Sequence, residues 1–408
     1  MQLTALELTE FRSFRELRLE APAAGFRAIG ANASGKSTLL EAITMLATTR
    51  SPRTSSEREL ANWRSGEAFG LTPYARVRGE FTRADGAHSV ALGLAVDEGG
   101  RSGLRKSVQF DEQPARAIDV VGRLKTVLFS PEDVELMAGS PGGRRRYLDL
   151  GISQARQPYL RGLSRYTRVL EQRNGLLRSL ARDGGFGRSR AEQELPFWDE
   201  ELTASAAVVL AERLVYIARL DALAREHFQR LTGRESLTTR YVSHRLPAID
   251  VRELAEALDD AGMISLQQSL AASFGRVLRE ARGEELRRGV TAVGPHRDDL
   301  SFELDGVDLG KFGSRGQQRL ALVAAKLAEV DILRQAAGEY PVLLLDDVLS
   351  ELDPRHRSLL IDAIGKGPAQ VCITATDLGD LDAPGLRDLP VLQIGAGAVE
   401  YRSVGAGA

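Results

Sequence analysis

Three short stretches of this chain combine residue types that act on phosphate. Gly30, Ala31, Asn32, Ala33, Ser34, Gly35, Lys36, Ser37 and Thr38 fit G-x-x-x-x-G-K-[ST] at every required position. Glycines let backbone N–H groups turn inward around phosphate oxygens, and a following helix N-terminus adds partial positive charge. Lys36 is expected to reach the β- and γ-phosphates, and the Ser37 hydroxyl to ligate Mg²⁺. Such a cradle needs an acidic partner, and PVLLLDD (341–347) supplies one. Its apolar run reads as a strand buried on both faces. Asp346 and Asp347 stand at its C-terminal end, where α/β folds bind ligands. Asp346 is expected to hold Mg²⁺, directly or through water. Asp347 is expected to orient or deprotonate the attacking water. The third stretch is KFGSRGQQRLALVAAKL (311–327). A serine hydroxyl, a glycine N–H and a helix N-terminus, here Ser314, Gly316 and Gln317, make a site for a γ-phosphate.

These residues need elements to hold them. The segment 3–20 alternates as two strands joined at Phe11–Phe14. A short strand, Phe26–Ile29, ends at Gly30, and from Lys36 a helix carries Leu39, Leu40, Ile43 and Leu46 on one side. Strand, glycine loop and helix thus follow in the order a phosphate cradle requires. Residues 74–112 alternate again, through Val77, Phe81, Val90, Leu94 and Phe110, with a turn expected at Asp97–Gly100. From Gln157 the period becomes helical. One helix runs to about Arg182, DGGFGRSR (183–190) breaks it, and a second runs from about Asp199 to Leu231. Helix continues through LAEALDD and onward to about Arg288. The α/β pattern returns at Val290. A hairpin turns at Asp305–Gly306, a helix starts at Gln317, and PVLLLDD, a helix near His356–Ile364 and the strand VCITAT follow. A last hairpin, PVLQIG with AVEYRS, precedes a frayed VGAGA tail. The expected fold is one α/β domain assembled from residues 1–150 and 290–408, with an inserted helical domain, 151–289, that carries a short antiparallel arm.

The 408 residues carry 54 basic and 56 acidic side chains, a formal net charge of -2. That balance neither demands nor forbids a nucleic-acid partner, because a local basic face is hidden in the sum. One cysteine, Cys372, excludes an internal disulfide and a multi-cysteine metal site. No secretory signal and no membrane-spanning run is evident, so a soluble, cytoplasmic protein is expected.

The order of SRGQQ (314–318), LLLDD (343–347) and SELD (350–353) is that of an ABC-type ATPase: signature, Walker B and D-loop. In that class the ligands are ATP and Mg²⁺, and the signature closes on ATP held by another subunit. More specifically the chain resembles the RecF DNA replication and repair proteins, relatives of the chromosome-maintenance ATPases. The likeness rests on ELTEFRSFRELRLE, GANASGKSTLLEAI, FSPEDVELMAGSPGGRRRYLDL, GPHRDDLSFELDG, SRGQQRLAL and LLLDDVLSELD, and covers about residues 3–380. The resemblance implies an ABC-type P-loop ATPase head and an ATP-bridged homodimer. It implies binding to duplex DNA near single-strand gaps, help to recombination mediators of the RecR and RecO type in loading recombinase, and a weak DNA-stimulated ATPase. It places Arg12 near the nucleotide, Gly30 to Ser37 in the P-loop, Ser314, Gly316 and Gln317 in the signature, Asp346 and Asp347 in Walker B, and Asp353 in the D-loop.

Some positions depart from these patterns. Ala33 stands where such loops often carry glycine, and is tolerable only with a negative φ. Arg315 stands within the signature. No histidine follows VCITAT, so Thr374, Thr376 or Asp377 would have to substitute for a switch histidine. The Q-loop position near Ser130–Asp133 lacks glutamine and leaves Glu132 as the candidate. Slow turnover is expected.

Other residues compete for attention. Arg144, Arg145 and Arg146 could contact phosphates, but pairing with acids or capping a loop is the expected role. His296 could act as a base, but a hydrogen-bonded structural histidine is expected. Trp63 and Trp198 could stack on bases, but core or interface positions are expected. A transporter subunit would show a switch histidine and a more compact layout. A small-molecule kinase would need neither signature nor D-loop. A zinc-hook ATPase would need a longer arm and more than one cysteine. An ATP-binding scaffold without turnover stays open.

Overall fold

Alternating apolar residues build the first third of the chain into strands, and one glycine loop turns the pattern helical. The strands are β1 (Gln2–Phe11), β2 (Phe14–Glu20) and β3 (Gly25–Ile29), followed by helix α1 (Lys36–Thr48). Next come β4 (Tyr74–Arg83), β5 (Gly86–Val96), β6 (Leu104–Phe110), β7 (Gln113–Pro114), α2 (Ala117–Val120) and β8 (Thr126–Phe129). The middle holds α3 (Val134–Ala138), α4 (Pro141–Ala155), α5 (Gln157–Arg182), α6 (Gly187–Thr232), β9 (Leu237–Val242) and α7 (Asp260–Arg288). Then follow β10 (Asp299–Leu304), β11 (Val307–Asp308), α8 (Leu309–Phe312) and α9 (Arg315–Ala337). The chain closes with β12 (Val342–Asp346), α10 (Pro354–Gly365), β13 (Val371–Ala375), β14 (Val391–Gly395) and β15 (Ala398–Arg402). This computed structural model describes residues 1–54, 56–67, 72–96, 104–182, 187–233, 237–243, 245, 254, 258–365, 367–381, 383–395 and 397–402. The expected Asp97–Gly100 turn, residues 183–186 of the break, residues 255–257 of LAEALDD and the VGAGA tail lie outside them.

The chain packs as two compact units, Met1–Asp133 with Glu329–Ala408, and Val134–Ala328. The first holds two six-stranded sheets. One runs β15-β14-β3-β13-β12-β8, and its central strands are parallel; the other runs β2-β1-β4-β5-β6-β7 and is antiparallel. Helix α1 touches β12 and β13 of the former and β4 and β5 of the latter. Being covered on both sides, it is buried throughout Thr38–Thr48. A side chain at Gly79 of β4 would meet Leu46 at 2.3 Å, so glycine there permits the close approach of α1. The core joins Leu3, Leu6 and Phe81 to Leu39, Ile43, Leu344, Cys372 and Leu392. Burial pushes the Cys372 thiol far up, as suits an inert core residue. The Gln370 side chain fastens the sheets. It accepts from Leu3 N–H at 2.7 Å and donates to the carbonyls of Leu3 and Pro22, each at 2.8 Å.

The second unit is built on the α5–α6 hairpin with α7 alongside. Arg173 of α5 is fully buried and satisfied by Asp199 (2.9 Å), Glu285 (2.7 Å) and Thr291 (2.8 Å). Buried charge is tolerable only with such pairing. Arg213 of α6 is likewise buried, donating to Asp149 (2.7 Å), Tyr159 (3.0 Å) and the Pro295 carbonyl (2.8 Å). These bonds tie α4 and the segment 291–299 to the helices. The unit limits fall at 133/134 and 328/329, where the sequence suggested 150/151 and 289/290.

The helical region differs from expectation in two places. Helix α6 starts at Gly187, a turn-rich stretch in the sequence, and passes through Pro196. Ala191 and Leu195 pack with Leu177 and Leu180, and Arg190 pairs with Glu194 at 2.7 Å, which holds those first turns. Strand β9 interrupts the helices and pairs antiparallel with β10, Leu237 opposite Leu304 and Val242 opposite Asp299. Two element edges also move. Helix α9 begins at Arg315, not Gln317, and the strand after the Asp305–Gly306 turn is only Val307–Asp308, because Leu309 opens α8.

Candidate nucleotide-binding site

The glycine loop leaves β3 at Ile29 and enters α1 at Lys36. A side chain at Gly30 would lie 2.3 Å from the Ile394 carbonyl oxygen. Gly35 has φ 110°, and a side chain there would lie 2.9 Å from the Phe14 ring and 3.0 Å from Ser13 Oγ. Both positions therefore need glycine. Ala33 has φ 63°, contrary to the negative φ expected of it. The loop keeps its left-handed residue without the glycine that would relieve it, at about 1 kcal/mol. Ala31, Asn32 and Ala33 are exposed, Thr38 is buried, and Ser34 Oγ is buried with no hydrogen-bond partner. Lys36 Nζ donates to the carbonyls of Gly30 (2.7 Å) and Ala31 (3.0 Å), which holds the ammonium at the loop. An orphaned hydroxyl, a held lysine and a helix N-terminus fit a polyphosphate.

Parallel pairing brings three further residues to this loop. Asp346 ends β12, and its register partner on β13 is Thr374. Ser37 Oγ donates to Asp346 Oδ1 at 2.9 Å, and Thr374 Oγ1 donates to the same oxygen at 2.8 Å. One hydroxyl and one carboxylate are the protein groups Mg²⁺ takes when phosphates supply other ligands. Asp347 is next, in the left-handed region at φ 52°. Its N–H donates to the Thr374 carbonyl (3.2 Å) and to Thr374 Oγ1 (3.1 Å).

The remaining expected residues lie as follows. Arg12, at φ 54° in the β1–β2 turn, donates twice to Glu41 of α1, at 3.1 and 2.8 Å. Glu41 is buried and also accepts from Ser51 at 2.5 Å. Sequence reading missed Glu41; the available signal was an acid inside an apolar helix. Glu132 sits in the turn after β8, the strand next to β12, and is exposed beside Arg53 at 3.6 Å. Asp353 caps α10, accepting from the N–H groups of Arg355 (3.0 Å) and His356 (3.1 Å). The His356 side chain also bonds it and holds its carboxyl below the usual range. In the other unit, Ser314 and Gln317 form a capping box on α9: Ser314 N–H donates to Gln317 Oε1 (2.9 Å) and Gln317 N–H to Ser314 Oγ (3.3 Å). Gly316 faces open space.

The competing candidates resolve structurally. Arg144 binds both oxygens of Asp299, each at 2.7 Å, and the Gly139 carbonyl; Arg145 binds the Asp298 carbonyl at 2.8 Å. Acid pairing and loop closure are thus their roles. Burial pushes the His296 imidazole down to about 4, so it is neutral near pH 7. It accepts from the Tyr166 hydroxyl at 2.5 Å and lies 3.3 Å from the Thr291 carbonyl through Nε2. Trp63, expected in a core or interface, is 96% exposed. Trp198 is half-buried and packs edge-on with Phe197. No helix among the described residues is long and apolar enough to cross a membrane.

Comparison with known proteins matches this arrangement to one group. Residues 2–382 match the family model described as the RecF/RecN/SMC N terminal domain. The chain is 45% identical over 403 residues to the DNA replication and repair protein RecF of Thermomicrobium roseum, covering 98% of this chain and all of that one. It is 35% identical over 403 residues to the protein of the same name from Bacillus subtilis, with 98% and 100% covered. A solved structure of the recombination mediator protein RecF-ATP in the RecFOR pathway superposes with a TM-score of 0.82, at 29% identity over 98% of each chain.

Proposed function

The chain belongs to the RecF family, and on that premise we propose that it is an ATP-dependent DNA-binding clamp of DNA replication and recombinational repair. ATP binds the Gly30–Thr38 loop, with Lys36 on the β- and γ-phosphates. Ser37 and Asp346 hold Mg²⁺, which when bound neutralises charge on the phosphate oxygens. Asp347 orients or deprotonates the attacking water, with Glu132 as a second carboxylate on the neighbouring strand's turn. Arg12 contributes at the nucleotide's edge. A second copy's Ser314, Gly316 and Gln317, with Asp353, complete the site, so that one ATP joins two protomers. The joined state binds duplex DNA at or near single-strand gaps and helps RecR- and RecO-type mediators load recombinase. Slow hydrolysis resets it.

The observation that carries this reading is the convergence of Ser37, Asp346, Asp347 and Thr374 beside a glycine loop that needs its glycines. The test is mass in solution by light scattering, with and without ATP and Mg²⁺, on Asp347→Asn. Asparagine tolerates the left-handed backbone at that position. An ATP-dependent dimer that Ser314→Arg abolishes is expected. A mass that ignores ATP would remove the clamp.

A second reading, an ATP-binding scaffold with little turnover, draws on the capping box. There the Ser314 hydroxyl already accepts a bond within its own helix. Phosphate release measured with and without DNA separates the two.

A further inference from the structure

The Thr374 hydroxyl bonds the Asp346 carboxylate and the Asp347 backbone N–H. We propose that Thr374 is the positioning residue of the reaction, holding Asp347 in its left-handed backbone conformation and fixing Asp346 at the same time. The inference rests on the reading of Asp347 as the residue that acts on the attacking water.

A non-glycine residue at φ 52° costs about 1–3 kcal/mol unless its surroundings impose the conformation. The surroundings of Asp347 are specific. Its N–H is shared between the Thr374 carbonyl and hydroxyl, at 3.2 and 3.1 Å. Its carbonyl accepts from Ser350 Oγ at 2.7 Å. The residue is therefore held at its N–H by Thr374 and at its carbonyl by Ser350.

A hydroxyl has one proton and two lone pairs. The Thr374 proton goes to Asp346 Oδ1 at 2.8 Å; the Leu345 carbonyl, at 3.5 Å, is too far to compete. A lone pair receives the Asp347 N–H. The same oxygen thus donates to the acid assigned to the metal and accepts from the backbone of the acid assigned to water. Thr374 is 1% exposed, so water cannot replace these bonds. Threonine is also stiff at its first side-chain torsion, which suits a fixed strut. This geometry selects Thr374 from the three residues that could stand in for a switch histidine. Thr376 and Asp377 are exposed.

The experiment compares wild type, Thr374→Val and Thr374→Ser. Valine keeps the shape and removes the hydroxyl; serine keeps the hydroxyl. In steady-state ATP hydrolysis, Thr374→Val should lower kcat about tenfold or more with KM for ATP changed less than about threefold, the signature of lost alignment. The Mg²⁺ concentration for half-maximal binding of a fluorescent ATP analogue should rise about threefold, because Asp346 loses its fixed donor. Thr374→Ser should restore both within about twofold. Wild-type kcat in Thr374→Val, or equal loss in the valine and serine variants, would overturn the proposal. Should Thr374→Val not fold, Thr374→Ala carries the same comparison, with rates normalised to nucleotide-binding sites. A chain whose wild type binds no ATP would sink the broader functional reading first, and is told apart because every variant then behaves alike.

Discussion

Ala33 and Asp347 hold left-handed backbone at the site. Ala33 is the simpler. Its φ of 63° is a glycine conformation occupied by alanine. Ala33→Gly is expected to stabilise the fold by about 0.5–1 kcal/mol, less the entropy glycine adds to the unfolded chain. Urea melts of the two proteins check this; a destabilised variant would show that the loop relaxes without help. The motif itself was legible in the sequence, because a phosphate loop needs fixed residue types at fixed spacing. The backbone of Ala33 was not, since nothing local to alanine announces a positive φ. Asp347 was legible as an acid at a strand end, but its left-handed turn depends on Thr374, 27 residues further on, across a parallel strand pair.

At the scale of elements, His88 links two turns of the antiparallel sheet. Its Nδ1 lies 2.9 Å from Asp111, in the turn after β6, and its Nε2 lies 3.2 Å from Asp85, in the turn before β5. Phe81 and Phe110 flank the ring, and Arg83 and Arg123 are the nearby cations. The Asp111 hydrogen bond, then Asp85, raises the imidazole above its ordinary 6.5. A raised histidine stabilises fully below its unfolded value and stops doing so as pH rises through the folded one. The melting-temperature gap between wild type and His88→Gln should thus be wide near about pH 5.5 and narrow near about pH 9. A gap independent of pH would mean the ring acts only by packing. Elements with local causes were legible: β1, β3, α1 and β12 follow from pattern and flanking residues. Strand β9 was not. It has six residues, and its partner β10 starts 57 residues after it ends. The first turns of α6 were hidden because residues 187–190 close the glycine-rich stretch that reads as a break, which Leu195 and Ala191 packing on α5 outweighs.

At the scale of the molecule, the two units divide the candidate site residues. The glycine loop, Asp346 and Asp347 lie in the first, and Ser314, Gly316, Gln317 and the helical hairpin in the second. Denaturation is expected in two steps, because separate cores lose cooperativity. In a Trp63→Phe chain, Trp198 reports the second unit alone. ATP with Mg²⁺ at about 100 times its dissociation constant should raise the first unit's stability by about 2.7 kcal/mol. Hydrogen exchange should slow in β3, β12 and β13 more than in α5 to α7. A single transition, equally shifted everywhere, would contradict this. The parallel sheet also sets a timetable. Strand β3 leads into the glycine loop, yet its neighbours β13 and β14 lie roughly 340 residues or more downstream. On a ribosome adding about 5–20 residues per second, β3 emerges about 17–70 s before either neighbour. Throughout that interval the nascent chain carries an apolar strand with both edges bare, and a trigger-type holdase has a defined segment to shield.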